Sequence, residues 1–165
     1  MMIRKITALL VFVLIITSCG VKMIHSKSYN YKEGVDFNVK MAIDERKAYK
    51  GDLYDTIYVA IGNGSFKTLV LQFSNTSEND MEINFKEFIL LDKSGNKYTP
   101  VAAAQEFIPI TSVEKFTHIL KAGKIRNFHI QYWPPFPKSE PIEKMMVKDV
   151  PILIEKYHLI RNAPF

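Results

Sequence analysis

Apolar and polar residues alternate with a period of two in several separate stretches of this chain, and this pattern limits the possible folds more than any other property of the sequence. The clearest stretch is 35–44, where we expect one buried face formed by Val35, Phe37, Val39, Met41 and Ile43. Such alternation is typical of a β-strand that is buried on one side. Three further stretches repeat it, with predicted same-face residues Leu53, Asp55, Ile57, Val59 and Ile61, then Leu69, Leu71 and Phe73, and finally Phe128, Ile130 and Tyr132.

Turn-forming residues separate these stretches. Asn63-Gly64 predicts a tight hairpin, and the segment 92–96 predicts a turn in which Gly95 or Asn96 has a positive φ. Near Lys86-Glu87 the inward-facing parity changes, which indicates a β-bulge or a crossing between sheets. Because no convincing amphipathic helix is present, the sequence predicts an all-β, antiparallel β-sandwich of about seven to nine strands.

The first eighteen residues have the organisation of a secretory signal. Basic Arg4 and Lys5 precede an apolar run over 6–16, and small polar residues follow it before Cys19. The apolar run is too short to span a bilayer as a helix, which takes about 20 residues. Two other interpretations stay open, namely a transmembrane helix that extends past Lys22 and an ordinary cleaved signal.

The stretch Ile16-Thr17-Ser18-Cys19-Gly20 resembles the lipobox of bacterial lipoproteins. The resemblance implies diacylglycerol on the Cys19 thiol, cleavage before Cys19 and often a further acyl chain on the new amine. Two or three acyl chains give stable anchoring where a single chain does not. Cys19 is also the only cysteine, so no internal disulfide can form, and acylation would remove a free thiol from an oxidising compartment. We therefore expect a protein of the bacterial cell envelope that is lipid-anchored to a membrane through Cys19 and faces the periplasm or the exterior.

The sequence predicts four segments. These are a lipoprotein signal peptide at 1–18, a flexible tether at 19–34, a β-sandwich domain at 35–157 and a C-terminal tail at 158–165. Of the 22 lysines and arginines, two lie in the signal, which leaves 20 basic against 17 acidic residues. The basic residues form no stripe, so we expect no nucleic-acid partner.

A second resemblance concerns the domain itself. The stretch 69–98 resembles the central part of a widespread Ig-like domain of unknown function found in bacterial secreted proteins and lipoproteins. The features that carry it are the strand 69–73 followed by Ser74-Asn75-Thr76, the strand 88–92 with Gly95 and Tyr98, and Gly123 before the strand 128–132. The resemblance covers roughly residues 50–155. It implies an immunoglobulin-like sandwich and export, and it supplies no functional residues.

No catalytic machinery is recognisable in the sequence. There is no G-x-S-x-G elbow and no phosphate-binding glycine loop, and the single thiol lies outside the domain. The four histidines are scattered, and although His118 and His129 could face each other across two strands, a metal site would need a third ligand. We therefore predict no enzyme, no catalytic residue, no metal site and no cofactor.

The segment Trp133-Pro134-Pro135-Phe136-Pro137 contains the two aromatic residues that fit the strand pattern least well. One interpretation is that Trp133 and Phe136 cap the end of the core. The other is that they form an exposed apolar patch, because aromatic residues often dominate binding surfaces. We predict a non-enzymatic interaction or structural module with an envelope protein as partner. The alternative is a lipoprotein that binds a small ligand or a carbohydrate on a tyrosine-lined concave face, with or without hydrolytic activity.

Overall fold

The computed structural model describes residues 21–24, 27–50, 56–105, 108–109, 116–137, 141–153 and 157–160. These residues form antiparallel β-strands and one 3-10 turn at Phe85–Glu87, so the predicted all-β antiparallel fold is confirmed. The strand segments are more numerous than the seven to nine expected. They are β1 (Val21–Ile24), β2 (Tyr29–Lys32), β3 (Val35–Glu45), β4 (Lys47–Lys50), β5 (Thr56–Val59), β6 (Gly64–Asn75), β7 (Met81–Asn84), β8 (Phe88–Leu91), β9 (Lys97–Gln105), β10 (Ile108–Pro109), β11 (Thr117–Leu120), β12 (Ile125–Trp133), β13 (Phe136–Pro137), β14 (Lys144–Val147), β15 (Val150–Leu153) and β16 (Tyr157–Ile160).

One large sheet provides both layers of the sandwich. Its strands follow the order β15-β14-β8-β9-β12-β6-β3-β1-β16, and β2, β10 and β13 pair at its margins. The sheet curls so that β8 packs over β3 and β6, because the Phe88 ring lies 5.3 Å from that of Phe37 and 5.5 Å from that of Phe73. Two small sheets, β4–β5 and β7–β11, complete the described fold.

The core between the two layers is rich in aromatic side chains. Each large apolar side chain that is removed from water stabilises the fold by about 1.5–3 kcal/mol. The fully buried ones include Phe37, Phe73, Phe85, Phe88, Phe128, Tyr132, Phe136, Leu69, Leu71, Ile83 and Leu90. The predicted inward faces of the stretches 69–73 and 128–132 are therefore confirmed.

The strand predicted at 35–44 is present, but its residues do not all share one face. Val35, Phe37 and Val39 are buried, whereas Met41 and Ile43 lie on the opposite face of the sheet. The pairing of β3 with β6 shifts between Val39 and Met41, and this β-bulge moves every later side chain to the other side. The sequence pattern has no marker for such a bulge, because apolar residues occupy both alternation sets around it.

The parity change near Lys86-Glu87 is confirmed as a crossing between sheets. The 3-10 turn Phe85–Glu87 separates β7, which pairs with β11, from β8, which pairs with β9 and β14. The turn predicted at 92–96 is also present, and Gly95 has the positive φ there, at 83°. Asp92 holds this turn together by accepting hydrogen bonds from the Asn96 backbone and side chain and from the Tyr98 hydroxyl.

Residues 21–24 and 29–32 are strands, so the predicted flexible tether at 19–34 is wrong for them. β1 pairs with β3, and β2 forms a hairpin with β3 through the turn Glu33-Gly34, in which Gly34 has φ 72°. The physical reason is burial of Tyr31, which is 6% exposed and whose ring contacts Phe73 and Phe88. The Tyr31 hydroxyl also accepts from the Asn84 N–H at 3.0 Å and donates to Glu87 at 2.8 Å.

The predicted C-terminal tail at 158–165 also differs from the structure. Residues 157–160 form β16, which pairs with β1 along the edge of the large sheet, because the exposed edge of β1 offers unpaired backbone groups. The residues 161–165 and the predicted signal peptide at 1–18, together with Cys19, lie outside the described residues. Among the residues that are described, no helix is long and apolar enough to cross a membrane.

Candidate interaction surface

Trp133, the only tryptophan of the chain, ends β12 and faces away from the core. Its indole stacks on Phe66 at 5.7 Å between ring centroids and packs against Tyr58 at 4.6 Å. These three residues form what we call the outer aromatic cluster. Trp133 nevertheless keeps 38% of its surface exposed, so it is partly available to a partner.

The β4–β5 hairpin packs on the outer aromatic cluster and contributes Tyr58 to it. Ala48, Ala60 and Phe66 are buried together there, and Tyr58 and Val101 pack against them. The hairpin lies on the face of the large sheet that is turned away from the core. Because Ala48 and Ala60 are small, the hairpin backbone can approach the sheet closely.

Polar contacts fix the base of this hairpin on the sheet. The Gln131 amide donates to Glu45 at 2.7 Å and to the Lys47 carbonyl at 2.9 Å, and the Thr68 hydroxyl also donates to Glu45. The Arg46 guanidinium donates to the carbonyls of Gly62 and Gly64 at 2.7 and 2.9 Å. Gln131 is 6% exposed, and a buried amide is tolerated only when its hydrogen bonds are made. The hairpin is therefore held by specific groups as well as by apolar packing.

The outer face of β5 is apolar and exposed. Ile57 is 55% exposed, Val59 is 60% exposed, and Ile61 in the following turn is 91% exposed. We call these three side chains the β5 apolar face. They share one face, as the alternation predicts, and it is the outer face because Tyr58 and Ala60 are the residues that pack toward the sheet. Leu53 and Asp55 of the same predicted set lie outside the described residues. The turn predicted at Asn63-Gly64 is present as Gly62-Asn63, but β5 pairs with β4 and not with β6.

Phe136 does not belong to this surface. It is 0% exposed, and its ring lies against that of Tyr98 at 3.5 Å inside the sandwich. The prediction that Phe136 contacts a partner is therefore wrong, and the alternative that it caps the core describes it correctly. Trp133 and Phe136 are separated because the chain turns at Pro134 and Pro135, after a cis Trp133-Pro134 bond, and Phe136 then pairs with Ser65 of β6.

A buried ion pair lies on the core side of the same end of the sheet. The Lys67 side chain is 4% exposed and pairs with Asp44, which is 29% exposed. The Lys67 ammonium also lies 5.4 Å from the centre of the Phe136 ring, and Ser65 donates to Asp44 at 3.4 Å. The neighbouring Tyr132 hydroxyl is fully buried without a hydrogen bond, and burial raises the pKa of Tyr132. This group of polar residues packs at the edge of the core, and Asp44 is its most exposed acidic member.

His118 and His129, the two histidines whose side chains the structure describes, do not come together. His118 packs against Phe128 at 5.0 Å on the core side of β12, whereas His129 follows Phe128 and points to the opposite face. Burial lowers the pKa of both, with Arg126 adding to the effect at His118 and Glu45 opposing it at His129. In the part of the chain that the structure describes, no group of three or more His, Cys, Asp or Glu side chains is placed to bind a metal ion.

Comparison with known proteins supports the fold. No family and no curated protein matches the sequence. The structure is similar to a conserved hypothetical protein from Bacillus anthracis, with a TM-score of 0.52, 14% identity, and coverage of 84% of this chain and 100% of the other. It also matches an uncharacterised beta-sandwich protein from Clostridium difficile 630, with a TM-score of 0.47, 12% identity, and coverage of 72% and 81%. At 14% identity the first likeness concerns the fold alone.

Sequence reasoning identified Trp133 but missed the β5 apolar face. The signal that was available is Ala60, whose small side chain lies between Val59 and Ile61 in an otherwise bulky run. A small residue in that position indicates close approach of another layer on its own side. This interpretation of the pattern would have predicted that Ile57 and Val59 face outward.

Proposed function

We propose that this protein is a lipid-anchored, extracytoplasmic lipoprotein of the bacterial envelope that acts by binding and not by catalysis. The lipid on Cys19 holds it to a membrane, and its partner is another envelope protein. The lipobox-like stretch that ends at Cys19 supports the proposed anchoring and extracytoplasmic localisation. The half-exposed Trp133 in the outer aromatic cluster is the observation that carries the binding role.

Trp133 is suited to a binding surface for a physical reason. Aromatic side chains lose little conformational freedom on binding, and Trp is enriched among the residues that dominate interface energies. Because Tyr58 and Phe66 already hold the indole in place, a partner would gain contact area without having to order a mobile side chain.

The binding role is tested by site-specific photo-crosslinking in intact cells. A photoreactive amino acid at position 133 should capture one defined envelope protein, and the same amino acid at Ile119, an exposed position on β11, should not. Trp133→Ala should abolish co-purification of that protein, and the variant should still unfold in one cooperative transition, at a lower urea midpoint because its contacts with Phe66 and Tyr58 are lost. Equal capture from both positions would contradict a specific surface around Trp133.

The anchor is tested separately. Mass spectrometry of the native product should find an acylated Cys19 at the new amino terminus. Cys19→Ala should leave an uncleaved or a released protein that no longer partitions into the detergent phase. A native protein with an intact leader and a free thiol would refute the proposed anchor.

A further inference from the structure

We infer that the β5 apolar face, formed by Ile57, Val59 and Ile61, lies in the interfacial region of the membrane to which the protein is anchored. The inference rests on the proposed lipid anchor at Cys19 and names a second contact with the same membrane. Its starting point is that the chain enters the sheet almost immediately after the anchoring residue. This removes the spacer that would otherwise hold the domain away from the lipid.

The distance from the anchor to the sheet follows from covalent geometry. β1 begins at Val21, so only Gly20 separates this strand from Cys19. Consecutive Cα atoms are about 3.8 Å apart, so the Cα atoms of Cys19 and Val21 are at most about 7.6 Å apart. An anchor of this length keeps one end of the sandwich at the level of the lipid headgroups, whose layer adds roughly 5–7 Å on each side of the hydrocarbon core.

Strand register identifies which end that is. Val21 pairs with Ile43, and β1 runs antiparallel to β3, so the chain before Val21 leaves the sheet at the end where β3 finishes with Glu45. We call this the Glu45 end. Arg46 follows directly, and its guanidinium donates to the carbonyl of Gly62, in the turn after Ile61, and to that of Gly64, which follows this turn. The anchor and the β5 apolar face therefore occur at the same end of the molecule.

The chemistry of the Glu45 end suits a lipid surface. The exposed charged residues among 44–47 and 57–67 are Arg46 and Lys47, both basic, and cations are attracted to anionic headgroups. Glu45 and Asp44 are only partly exposed and are already bonded, to Gln131 and Lys67 respectively. Tyr58 lies directly behind the apolar face, and tyrosine concentrates at membrane–water interfaces. Three exposed aliphatic side chains beside a membrane anchor are explained by burial in lipid.

A matched control lies at the other end of the same sheet. Ile125 is 54% exposed, almost the same as Ile57, and it pairs with Ser74 at the opposite end of β6 from Phe66. It matches Ile57 in exposure and residue type without sharing the position of the β5 apolar face. A lipid contact should therefore distinguish the two ends.

The test uses the full-length lipidated protein in vesicles of phosphatidylethanolamine and phosphatidylglycerol that contain nitroxide-labelled acyl chains. Ile61→Cys and, separately, Ile125→Cys are labelled with an environment-sensitive fluorophore, since an acylated Cys19 does not react. The label at position 61 should be quenched and shifted to the blue, and the label at 125 should not. Adding Ile57→Ser and Val59→Ser to the Ile61→Cys protein should remove most of the quenching without changing its detergent-phase partitioning.

Several results would overturn the inference. In vesicles, these are equal quenching of the labels at positions 61 and 125, no quenching at position 61, or quenching at position 61 that the serine substitutions leave unchanged. In intact cells, the contradicting result is capture of a protein from position 61 without quenching of that position in vesicles. Labelling of the wild-type protein at Cys19 would mean that the thiol is free. That result would overturn the anchor and this inference with it, whereas the others overturn the inference alone.

Discussion

Replacement of Tyr31 provides the sharpest test of the N-terminal strands, because the tether interpretation and the structure give different magnitudes. Tyr31 is 6% exposed, packs against Phe73 and Phe88, and joins β2 to Asn84 and Glu87 through its hydroxyl. Truncation of a buried aromatic residue to alanine typically costs about 3–5 kcal/mol, from lost burial and from the cavity left behind. In a flexible tether, the same substitution would change the free energy of unfolding by no more than about 0.5 kcal/mol.

Tyr31→Phe separates the ring from its hydroxyl. This variant keeps the packing but leaves the Asn84 N–H without its acceptor, which should cost about 1–3 kcal/mol. Tyr31→Ala should lower the thermal midpoint by roughly 6–20 °C, since 1 kcal/mol corresponds to about 2–4 °C in a chain of this size.

The assay is urea and thermal unfolding followed by circular dichroism, with Lys27→Ala as the control. Lys27 is exposed and lies two residues before β2, so its replacement should have little effect. If Tyr31→Ala and Lys27→Ala unfold at the same midpoint, β2 does not pack into the core and the reasoning is refuted.

Three further predictions concern the buried polar groups and the control surface. Asp44→Ala should destabilise the fold by about 3–5 kcal/mol because it leaves the buried Lys67 ammonium unpaired. Lys67→Met should cost less, since the Asp44 carboxylate reaches water. Equal losses of the two variants in urea unfolding would argue against this asymmetry. Burial raises the pKa of Asp92, but hydrogen bonds from Asn96 and Tyr98 outweigh it, so the pKa is lowered overall. The stabilisation of the fold by the Asp92 carboxylate should be complete above the ordinary aspartate pKa near 4 and lost as the pH falls through the lowered pKa. Asp92→Asn should therefore flatten the decline of the urea midpoint at acid pH. Ile125→Ser should leave the thermal midpoint and the membrane partitioning unchanged, because this exposed side chain supports neither the core nor the proposed lipid contact. A lower thermal midpoint or weaker partitioning would contradict the use of Ile125 as a control.

The amino-acid sequence by itself determined the fold class and the central strands. Leu69, Leu71 and Phe73 form one set of large apolar residues, as do Phe128, Ile130 and Tyr132, and the structure buries both sets in the core. The turn at Gly95 could be predicted because its positive φ is a local requirement of the backbone. These are properties of neighbouring residues, and they do not depend on what packs from elsewhere in the chain.

Only the tertiary structure decided the features that depend on long-range partners. Tyr31 is held in the core by residues more than fifty positions away, because the Asn84 N–H donates to its hydroxyl and the Glu87 carboxylate accepts from it. Ile57 and Val59 are exposed because Ala60 and Tyr58 face the sheet, and a period-two pattern with apolar residues in both sets cannot say which set is inward. The bulge in β3 and the burial of Phe136 have the same origin, since each is set by pairing with β6 and by the layer that packs across it.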